Sequence, residues 1–232
     1  MRIKKVGRRE VLGAMGAAAG AALAFGCGSS PTSPDATAST TTTTGSTNAA
    51  CAVTPSETAG PYPSLVDLYR SDIRDGKTGT LLTLTVKVVN VNAGCAGVAN
   101  ADVEVWHCDS AGNYSEYGTQ TTQNYLRGIQ PTNSSGEVTF TTIYPGWYQG
   151  RATHIHLEVK TNGVSRKITQ IAFPESINTT VYQSGVYASR GSNPTSNLSD
   201  GIFADSLSSE LVTPSGDPTS GYAASCQVAI SV

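Results

Sequence analysis

The sequence predicts an all-β protein, a β-sandwich with long loops, and three features of the chain support this fold class. From Leu82 to Val88, leucine and valine alternate with threonine and lysine, which is the period of a half-buried strand. No stretch has the periodicity of an amphipathic helix of three turns. Similar short apolar runs, separated by Gly, Asn, Ser and Pro, cover residues 103–105, 138–143, 155–159, 168–173 and 227–232.

Residues 1–27 have the features of a twin-arginine-like export signal. The run GRREVL at residues 7–12 follows two lysines and precedes a short apolar stretch rich in alanine and glycine. This stretch is too short and too poor in bulky residues to span a membrane comfortably. Gly26-Cys27 resembles the cleavage site of a bacterial lipoprotein, so we predict lipid attachment at Cys27; cleavage and release is the alternative. Either outcome places the protein outside the cytoplasm.

Composition divides the rest of the chain into a linker and one domain. Residues 28–50 are serine, threonine, alanine and proline with almost no charge, so they predict a disordered linker. Residues 51–232 have the length of one ordinary domain. The formal net charge is −2 at pH 7. The sequence contains no basic patch, so we expect no nucleic-acid partner.

The five cysteines are consistent with export. If Cys27 carries lipid, the other four can form two disulfides with three possible pairings. We favour Cys95 with Cys108, which flank the strand at 103–105, and Cys51 with Cys226, which would join the two ends of the domain. No C-x-x-C spacing occurs, which disfavours a metal site built from sulfur.

The segment YPGWYQGRATHIH, residues 144–156, concentrates the polar groups that could carry chemistry. It contains two of the three histidines, His154 and His156. On a strand, residues two apart point to the same face, so both imidazoles point one way while Ile155 and Leu157 point into a core. An H-x-H pair alone is as well explained by polar side chains on a wet strand face as by a metal site.

The scarcity of histidine limits how a metal site could be completed. The sequence has no histidine after His156, so a mononuclear centre would need oxygen or sulfur ligands as well. Tyrosines nearby are the available oxygen donors. A phenolate is a hard, charged ligand that prefers a hard ion such as Fe(III) over zinc.

The run RGIQPTNSSGEVTFTTIYPGWYQGRATHIH, residues 127–156, resembles the intradiol ring-cleaving dioxygenases, a family of non-haem Fe(III) enzymes. The resemblance extends through ETAGPYP at 57–63, VEVWHCDSAGNYS at 103–115 and ITQIAF at 168–173. It is similar above all to secreted single-chain members with a WHCD motif. It implies the β-sandwich of that family and four ligands for one ferric ion, namely Tyr114, Tyr148, His154 and His156.

The resemblance also implies roles around the metal. Arg151 matches an active-site arginine that would stabilise negative charge on the substrate, and Gln170 matches a glutamine behind the ligands. Tyr148 would release the metal and take up a substrate proton. Pro61 and Tyr62 match a segment that lines the substrate pocket from a partner subunit in two-chain members, and here it would do so within one chain.

The activity implied is the opening of a catechol-type ring by O2 between its two hydroxyl-bearing carbons, which yields a muconate-type diacid. Two alternatives stay open: a non-catalytic β-sandwich binding lipoprotein, and a different metalloenzyme that uses histidine and tyrosine. Tyrosine is ordinarily structural, and Tyr117 keeps that interpretation with a fallback role as ligand. His107 is expected to be partly buried and hydrogen-bonded. Residues 178–220 either close over the site or decorate the surface.

Overall fold

The computed structural model describes residues 51–232, which fold into two β-sheets packed as a sandwich. The predicted export signal at 1–27, the lipidation site at Cys27 and the linker at 28–50 lie outside the described residues. No helix among the described residues is long and apolar enough to cross a membrane. The predicted all-β sandwich is confirmed.

The first sheet is organised around its longest strands. It contains β1 (Leu81–Asn90), β2 (Ala96–Gly97), β5 (Glu137–Ile143), β8 (Ser215–Asp217) and β9 (Gly221–Ile230). Strand β1 pairs antiparallel with β5 and parallel with β9. The alternation predicted from Leu82 to Val88 is present, since every second residue of this stretch is fully buried.

The second sheet is antiparallel throughout and carries the candidate site. Its order is β4 (Arg127–Pro131), β3 (Asp102–Trp106), β6 (His154–Thr161) and β7 (Val164–Ala172). Strand β4 escaped prediction because its sequence RGIQP has one large apolar residue, Ile129, and no alternation. Trp106 and Gln170 pair directly with His156, so the register brings three side chains of one face side by side.

The apolar core lies between the two sheets. From the second sheet, Val103, Val105, Ile155 and Leu157 are fully buried against the leucines and valines of β1. Because strand residues alternate between faces, β6 uses these odd-numbered positions for the core and leaves its even-numbered positions for the opposite face. The first requirement of the predicted histidine site, a shared face, is therefore met.

The α-helices of the described residues are short and lie in the second half of the chain. They are α1 (Glu175–Tyr182) and α2 (Leu207–Glu210), with single 3-10 turns at Val91–Ala93, Gly185–Tyr187 and Asn197–Ser199. The longest helix of the described range has 8 residues, so the expected lack of a three-turn amphipathic helix holds there. Tyr182 and Phe203 from this half are buried.

The predicted disulfides are wrong, because Cys51 pairs with Cys95 and leaves Cys108 and Cys226 as free thiols. The Cα atoms of Cys51 and Cys95 are 5.9 Å apart. The Cys95 N–H donates to the carbonyl of Asn90, at the end of β1.

The sheet register explains why Cys226 is out of reach of Cys51. Asn90 pairs with Ile230 at the end of β9, whereas Cys226 pairs with Val86 farther inside the sheet. Cys108 is buried directly after β3. The disulfide that does form supports an extracytoplasmic location, since such bonds are typical of oxidising compartments.

Candidate metal centre and active site

The two histidines of β6 are both buried and face each other across one site. His154 is 2% exposed and His156 is 1% exposed. Their Nε2 atoms are 3.2 Å apart. Two nitrogen donors so close together, pointing at one region, are arranged as two ligands of a single ion would be.

Each imidazole is held in place by a contact with the surrounding protein. The Nδ1–H of His154 donates to the carbonyl of Ala152 at 2.6 Å, which leaves the lone pair on Nε2 directed into the site. The ring of His156 stacks on Trp106, with centroids 4.8 Å apart and planes 4° apart. Gly60 lies beside the same ring, and a Cβ there would lie 3.1 Å from Cε1 of His156. Gly60 also has a φ of +70°, so glycine suits this close approach.

Two tyrosines complete the cluster from separate loops. Tyr114 follows β3 and is buried, and its Oη lies 3.4 Å from Nε2 of His154. Tyr148 follows β5, and its ring centroid lies 5.5 Å from that of His154 and 5.7 Å from that of Tyr114. The structure thus gathers all four side chains predicted as ligands. Tyr117 differs from them, because its hydroxyl donates to the carbonyl of Pro63 at 2.7 Å.

The protonation of these groups tests whether a ferric ion would fit. Burial lowers the pKa of His154 to about 3, with a further contribution from the positive charge of Arg151. Burial likewise lowers the pKa of His156 well below its ordinary value. Both imidazoles are therefore neutral, which is the state that binds metal.

The tyrosines require a strong positive charge before they ionise. Burial raises the pKa of Tyr114 well above its ordinary value. Burial also raises the pKa of Tyr148, where the guanidinium of Arg151 acts in the opposite direction. No group of three or more His, Cys, Asp or Glu side chains suited to a metal occurs within residues 51–232. Two neutral nitrogens and two hard oxygens fit a trivalent ion such as Fe(III) better than a softer divalent ion.

Arg151 is fixed beside the cluster by two partners. Its Nε donates to Asp200 at 2.9 Å, and its second terminal nitrogen, Nη2, donates to Oε1 of Gln170 at 2.6 Å. Gln170 in turn donates from Nε2 to the carbonyl of Thr58. Asp200 also accepts the N–H of Ala152 at 2.6 Å. Sequence reasoning missed Asp200, since it lies 49 residues beyond Arg151 and belongs to no motif.

The segment 178–220 packs against the site. The hydroxyls of Tyr182 and Thr153 are 2.6 Å apart, and Asn193 donates to the carbonyl of Arg151. The ring of Phe203 lies 6.4 Å from that of His154. These contacts show that the segment supports Arg151–His154 from outside.

The third histidine, His107, differs from the other two because both of its ring nitrogens have hydrogen-bond partners in the protein. The Nδ1 of His107 lies 2.8 Å from the carbonyl of Cys108, and its Nε2 lies 2.7 Å from the hydroxyl of Thr142. Both nitrogens are thus satisfied by the protein. The side chain is fully buried, where the sequence suggested partial burial.

A cleft of about 140 Å³ lies against Tyr114 and Tyr148. Tyr62 lines it and stacks on Tyr114 with ring centroids 4.7 Å apart. Pro61 is exposed and lies outside the lining. Tyr148 and Tyr117 form further walls, so the cleft is lined largely by aromatic rings.

Comparison with known proteins agrees with this geometry. A family model described as "Dioxygenase" matches residues 60–190. The structure is similar to that of an intradiol ring-cleavage dioxygenase from Tetranychus urticae, with 30% identity and a TM-score of 0.72 over 78% of this chain and 95% of that chain. It is also similar to the dioxygenase domain of a dioxygenase carbohydrate-binding protein fusion from Streptomyces sp. SirexAA-E, with 25% identity and a TM-score of 0.60 over 78% of this chain and 99% of that one.

A 3-chlorocatechol 1,2-dioxygenase from Rhodococcus opacus 1CP shares the fold at 21% identity, with a TM-score of 0.55 over 77% of this chain and 72% of that one. The family model covers more than half of the present chain, and the mite protein matches at 30% identity over most of both chains. The chain therefore belongs to the intradiol ring-cleavage dioxygenase family.

Proposed function

We propose that this protein is a mononuclear non-haem Fe(III) dioxygenase that opens a catechol-type ring between its two hydroxyl-bearing carbons. The observation that supports the proposal is the clustering of Tyr114, Tyr148, His154 and His156 beside an aromatic cleft. Membership of the family supports it. The reaction balances without a reductant, since the catechol supplies the electrons and both atoms of O2 end in the diacid.

A ferric ion held by these four side chains would act as a Lewis acid that makes a chelated catechol ring reactive towards O2. Tyr148 is the ligand suited to proton transfer, because it is less buried than Tyr114 and lines the open cleft. Arg151 lowers the pKa of Tyr148 against the effect of burial. The Oη of Tyr148 can thus take up a proton from an incoming catechol hydroxyl.

Arg151 supplies the second function of the site. Asp200 and Gln170 hold its guanidinium in one orientation beside His154 and Tyr148. A fixed cation at this position would stabilise negative charge that develops on the substrate ring during the reaction. Gln170 contributes by orienting Arg151, and its own amide is fixed by Thr58.

We also propose that the reaction takes place outside the cytoplasm. The disulfide between Cys51 and Cys95 is the supporting observation. A twin-arginine-like signal at 1–27 would export the protein, and lipid on Cys27 would attach it to a membrane through the linker at 28–50. Mass spectrometry of the mature protein tests this, since release without lipid would leave no acyl mass on Cys27.

The test of the activity is to purify the protein, measure iron and visible colour, and follow O2 uptake with a panel of catechols. Iron bound by phenolate is red-brown, and turnover should give a ring-opened diacid in equal amount to O2 consumed. Tyr148→Phe should bleach most of the band and slow turnover by about 100-fold or more. Tyr69→Phe is the matched control, because Tyr69 is 65% exposed and outside the cluster.

Three results would contradict the proposal. A folded sample that stays colourless and holds no iron after loading favours a non-catalytic binding protein. Stoichiometric zinc without colour favours a different metalloenzyme. An unchanged band and rate in Tyr148→Phe would show that another tyrosine serves as the ligand.

A further inference from the structure

The loop of residues 62–65 brings one aromatic ring into the cleft. The ring of Tyr62 stacks on that of Tyr114, with centroids 4.7 Å apart. It meets Tyr117 and Tyr148 edge to face, with centroids 5.3 Å and 6.1 Å away. Tyr62 is half-buried and lies outside the strands and helices. A ring on a loop keeps one orientation only if the surrounding protein holds the backbone of that loop.

Arg127 holds the first part of this loop. Its Nη1 donates to the carbonyl of Tyr62 at 3.0 Å and to the hydroxyl of Ser64 at 3.3 Å. The same guanidinium donates from Nε to Oγ of Ser115 at 2.9 Å and from Nη2 to the carbonyl of Ser115 at 2.7 Å. Arg127 is 1% exposed. Its rigid, planar group therefore joins the loop of Tyr62 to the residue that follows Tyr114.

Tyr117 and Glu116 hold the second part of the loop. The hydroxyl of Tyr117 donates to the carbonyl of Pro63 at 2.7 Å. Oε2 of Glu116 accepts the N–H of Leu65 at 2.7 Å. Glu116 also pairs with Arg127 at 3.4 Å, and both side chains are buried. Each of the four loop residues is thus bonded to one of these three side chains, which together form the Arg127 cluster.

Glu116 has features that cost stability. Its φ is +70°, in the left-handed region that residues other than glycine rarely adopt. Its Oε1 is buried and has no hydrogen-bond partner among the described residues. A glycine would relieve the strain but would lose the carboxylate that binds Leu65 and Arg127. Strained backbone of this kind persists where the surrounding structure imposes it, often beside a functional site.

We propose that Arg127, Glu116 and Tyr117 are positioning residues that hold the ring of Tyr62 in the cleft, where it packs against the substrate ring. This inference rests on the proposed function. A loosened loop would have to be ordered again whenever substrate binds, which weakens binding. The two histidines are held by contacts elsewhere in the protein. Loosening the loop should therefore raise KM and leave the metal centre unchanged.

Tyr117→Phe is the most specific test, because it removes one hydroxyl and keeps the ring. We expect KM for catechol to rise about threefold or more, while kcat stays within about twofold and iron content and the visible band are unchanged. Arg127 and Glu116 are less suitable targets, since removing one partner of a buried ion pair destabilises the fold. Tyr69→Phe is the matched control, because it removes the hydroxyl of an exposed tyrosine and should leave KM unchanged.

Tyr62→Ala tests whether the Arg127 cluster acts through Tyr62. Loss of the ring should raise KM about fivefold or more. In this background, Tyr117→Phe should raise KM by less than about 1.5-fold, since no ring remains to be positioned. An equal effect of Tyr117→Phe in both backgrounds would mean that its hydroxyl acts independently of Tyr62, and the inference would be wrong.

Hydrogen exchange of the metal-free protein gives a readout that does not depend on activity. The N–H of Leu65 is bonded to Glu116, so its exchange reports how firmly the loop is held. Tyr117→Phe should speed exchange in residues 62–65 by about threefold or more, because the loop loses one of its contacts, and Tyr69→Phe should not. Unchanged exchange in Tyr117→Phe would overturn the inference.

The outcomes separate this inference from the proposed function. If catechol is cleaved and Tyr117→Phe has the KM of the wild type, the inference is wrong and the activity stands. Loss of iron or of the visible band in Tyr117→Phe would identify Tyr117 as a ligand and would also overturn the inference. If the iron-loaded wild type consumes no O2 with any catechol, the proposed function fails, and the role of the Arg127 cluster towards substrate fails with it.

Discussion

The two faces of strand β6 differ in chemistry although their residues alternate along one short strand. Ile155, Leu157 and Val159 are fully buried among the apolar side chains of both sheets. His154 and His156 are as deeply buried, but against two tyrosines, a tryptophan and a glycine. On the apolar face, only the volume and shape of the side chains matter for packing. The histidine face keeps two Nε2 atoms 3.2 Å apart and turned towards each other, and this difference, rather than burial, separates a site from a core.

The largest expected effect comes from removing a nitrogen donor. His156→Ala should lower the affinity for iron by more than about 100-fold and abolish the visible band, because one of four ligands is lost. Metal analysis after gel filtration measures this. His107→Gln is the control, since it removes a buried histidine whose nitrogens are both satisfied by the protein. Full iron content in His156→Ala would contradict the assignment.

Leu157, next to His156 but on the other face of β6, should affect the stability of the protein rather than its binding of iron. Leu157→Ala leaves a cavity between the sheets and should lower the free energy of unfolding of the metal-free protein by about 2–5 kcal/mol. The folded fraction should still bind iron with the same band. Urea denaturation measures the loss, with Glu158→Ala as the control at a less buried position, expected to cost about 1 kcal/mol or less. If Leu157→Ala lowered the free energy of unfolding as little as Glu158→Ala does, the two faces of β6 would not differ in the way described.

His107, the third histidine, extends the comparison to the pH dependence of the free energy of unfolding. Burial lowers the pKa of His107 to about 4, below the ordinary 6.5. Between these values the unfolded chain binds a proton that the folded protein does not. Acidification from pH 6.5 to 4 therefore lowers the free energy of unfolding, and His107 accounts for about 3 kcal/mol of this loss. Above pH 6.5 His107 is neutral in both the folded and the unfolded state, so this part of the free energy of unfolding is retained.

His107→Gln isolates this effect from the other histidines. The variant should show a shallower fall in the free energy of unfolding from pH 6.5 to 4, measured by urea denaturation of the metal-free protein. Subtracting the two pH profiles removes the contribution of His154 and His156. Parallel profiles would mean that His107 does not titrate in this window.

The smallest expected effect concerns the support of the site from segment 178–220. Asp200→Asn removes the charge that orients Arg151 and should lower kcat by about 10–100-fold while iron content and the band stay unchanged. Asp205→Asn is the control, since Asp205 is exposed in the same segment. Steady-state O2 uptake with the metal spectrum of the same samples measures both quantities. A loss of iron in Asp200→Asn would indicate general damage to the cluster rather than a role through Arg151.

Strand periodicity predicted most of the fold, and the failures have physical causes. Strands with alternating apolar residues were located because each buries one face by itself. Strand β4 has a single apolar residue, Ile129, and takes its place because β3 offers it backbone partners. Neither of the predicted cysteine pairs forms. Cys226 lies on β9, whose parallel register with β1 sequence separation cannot reveal, and Cys108 is buried directly after β3.

The sequence predicted the candidate ligands of the site but not the residues that hold the site in place. H-x-H spacing and the family motifs identify the groups that the structure gathers, and their roles remain the proposal made above. Asp200, Thr58 and Phe203 reach the site from distant segments. Thr58 lies in the motif at 57–63 but was given no role there. Asp200 and Phe203 belong to no pattern, because an aspartate that orients an arginine looks like any surface aspartate until the chain folds.

The sequence by itself determined that the chain is all-β, that two imidazoles share one strand face, and that oxygen or sulfur ligands must complete a mononuclear metal site there. These properties follow from local alternation and from residue chemistry. Only the tertiary structure decided that Cys51 meets Cys95, that Asp200 holds Arg151, and that Tyr62 stacks on Tyr114. Each of these depends on contacts between segments far apart in the chain, which the packing of two sheets creates and no local pattern encodes.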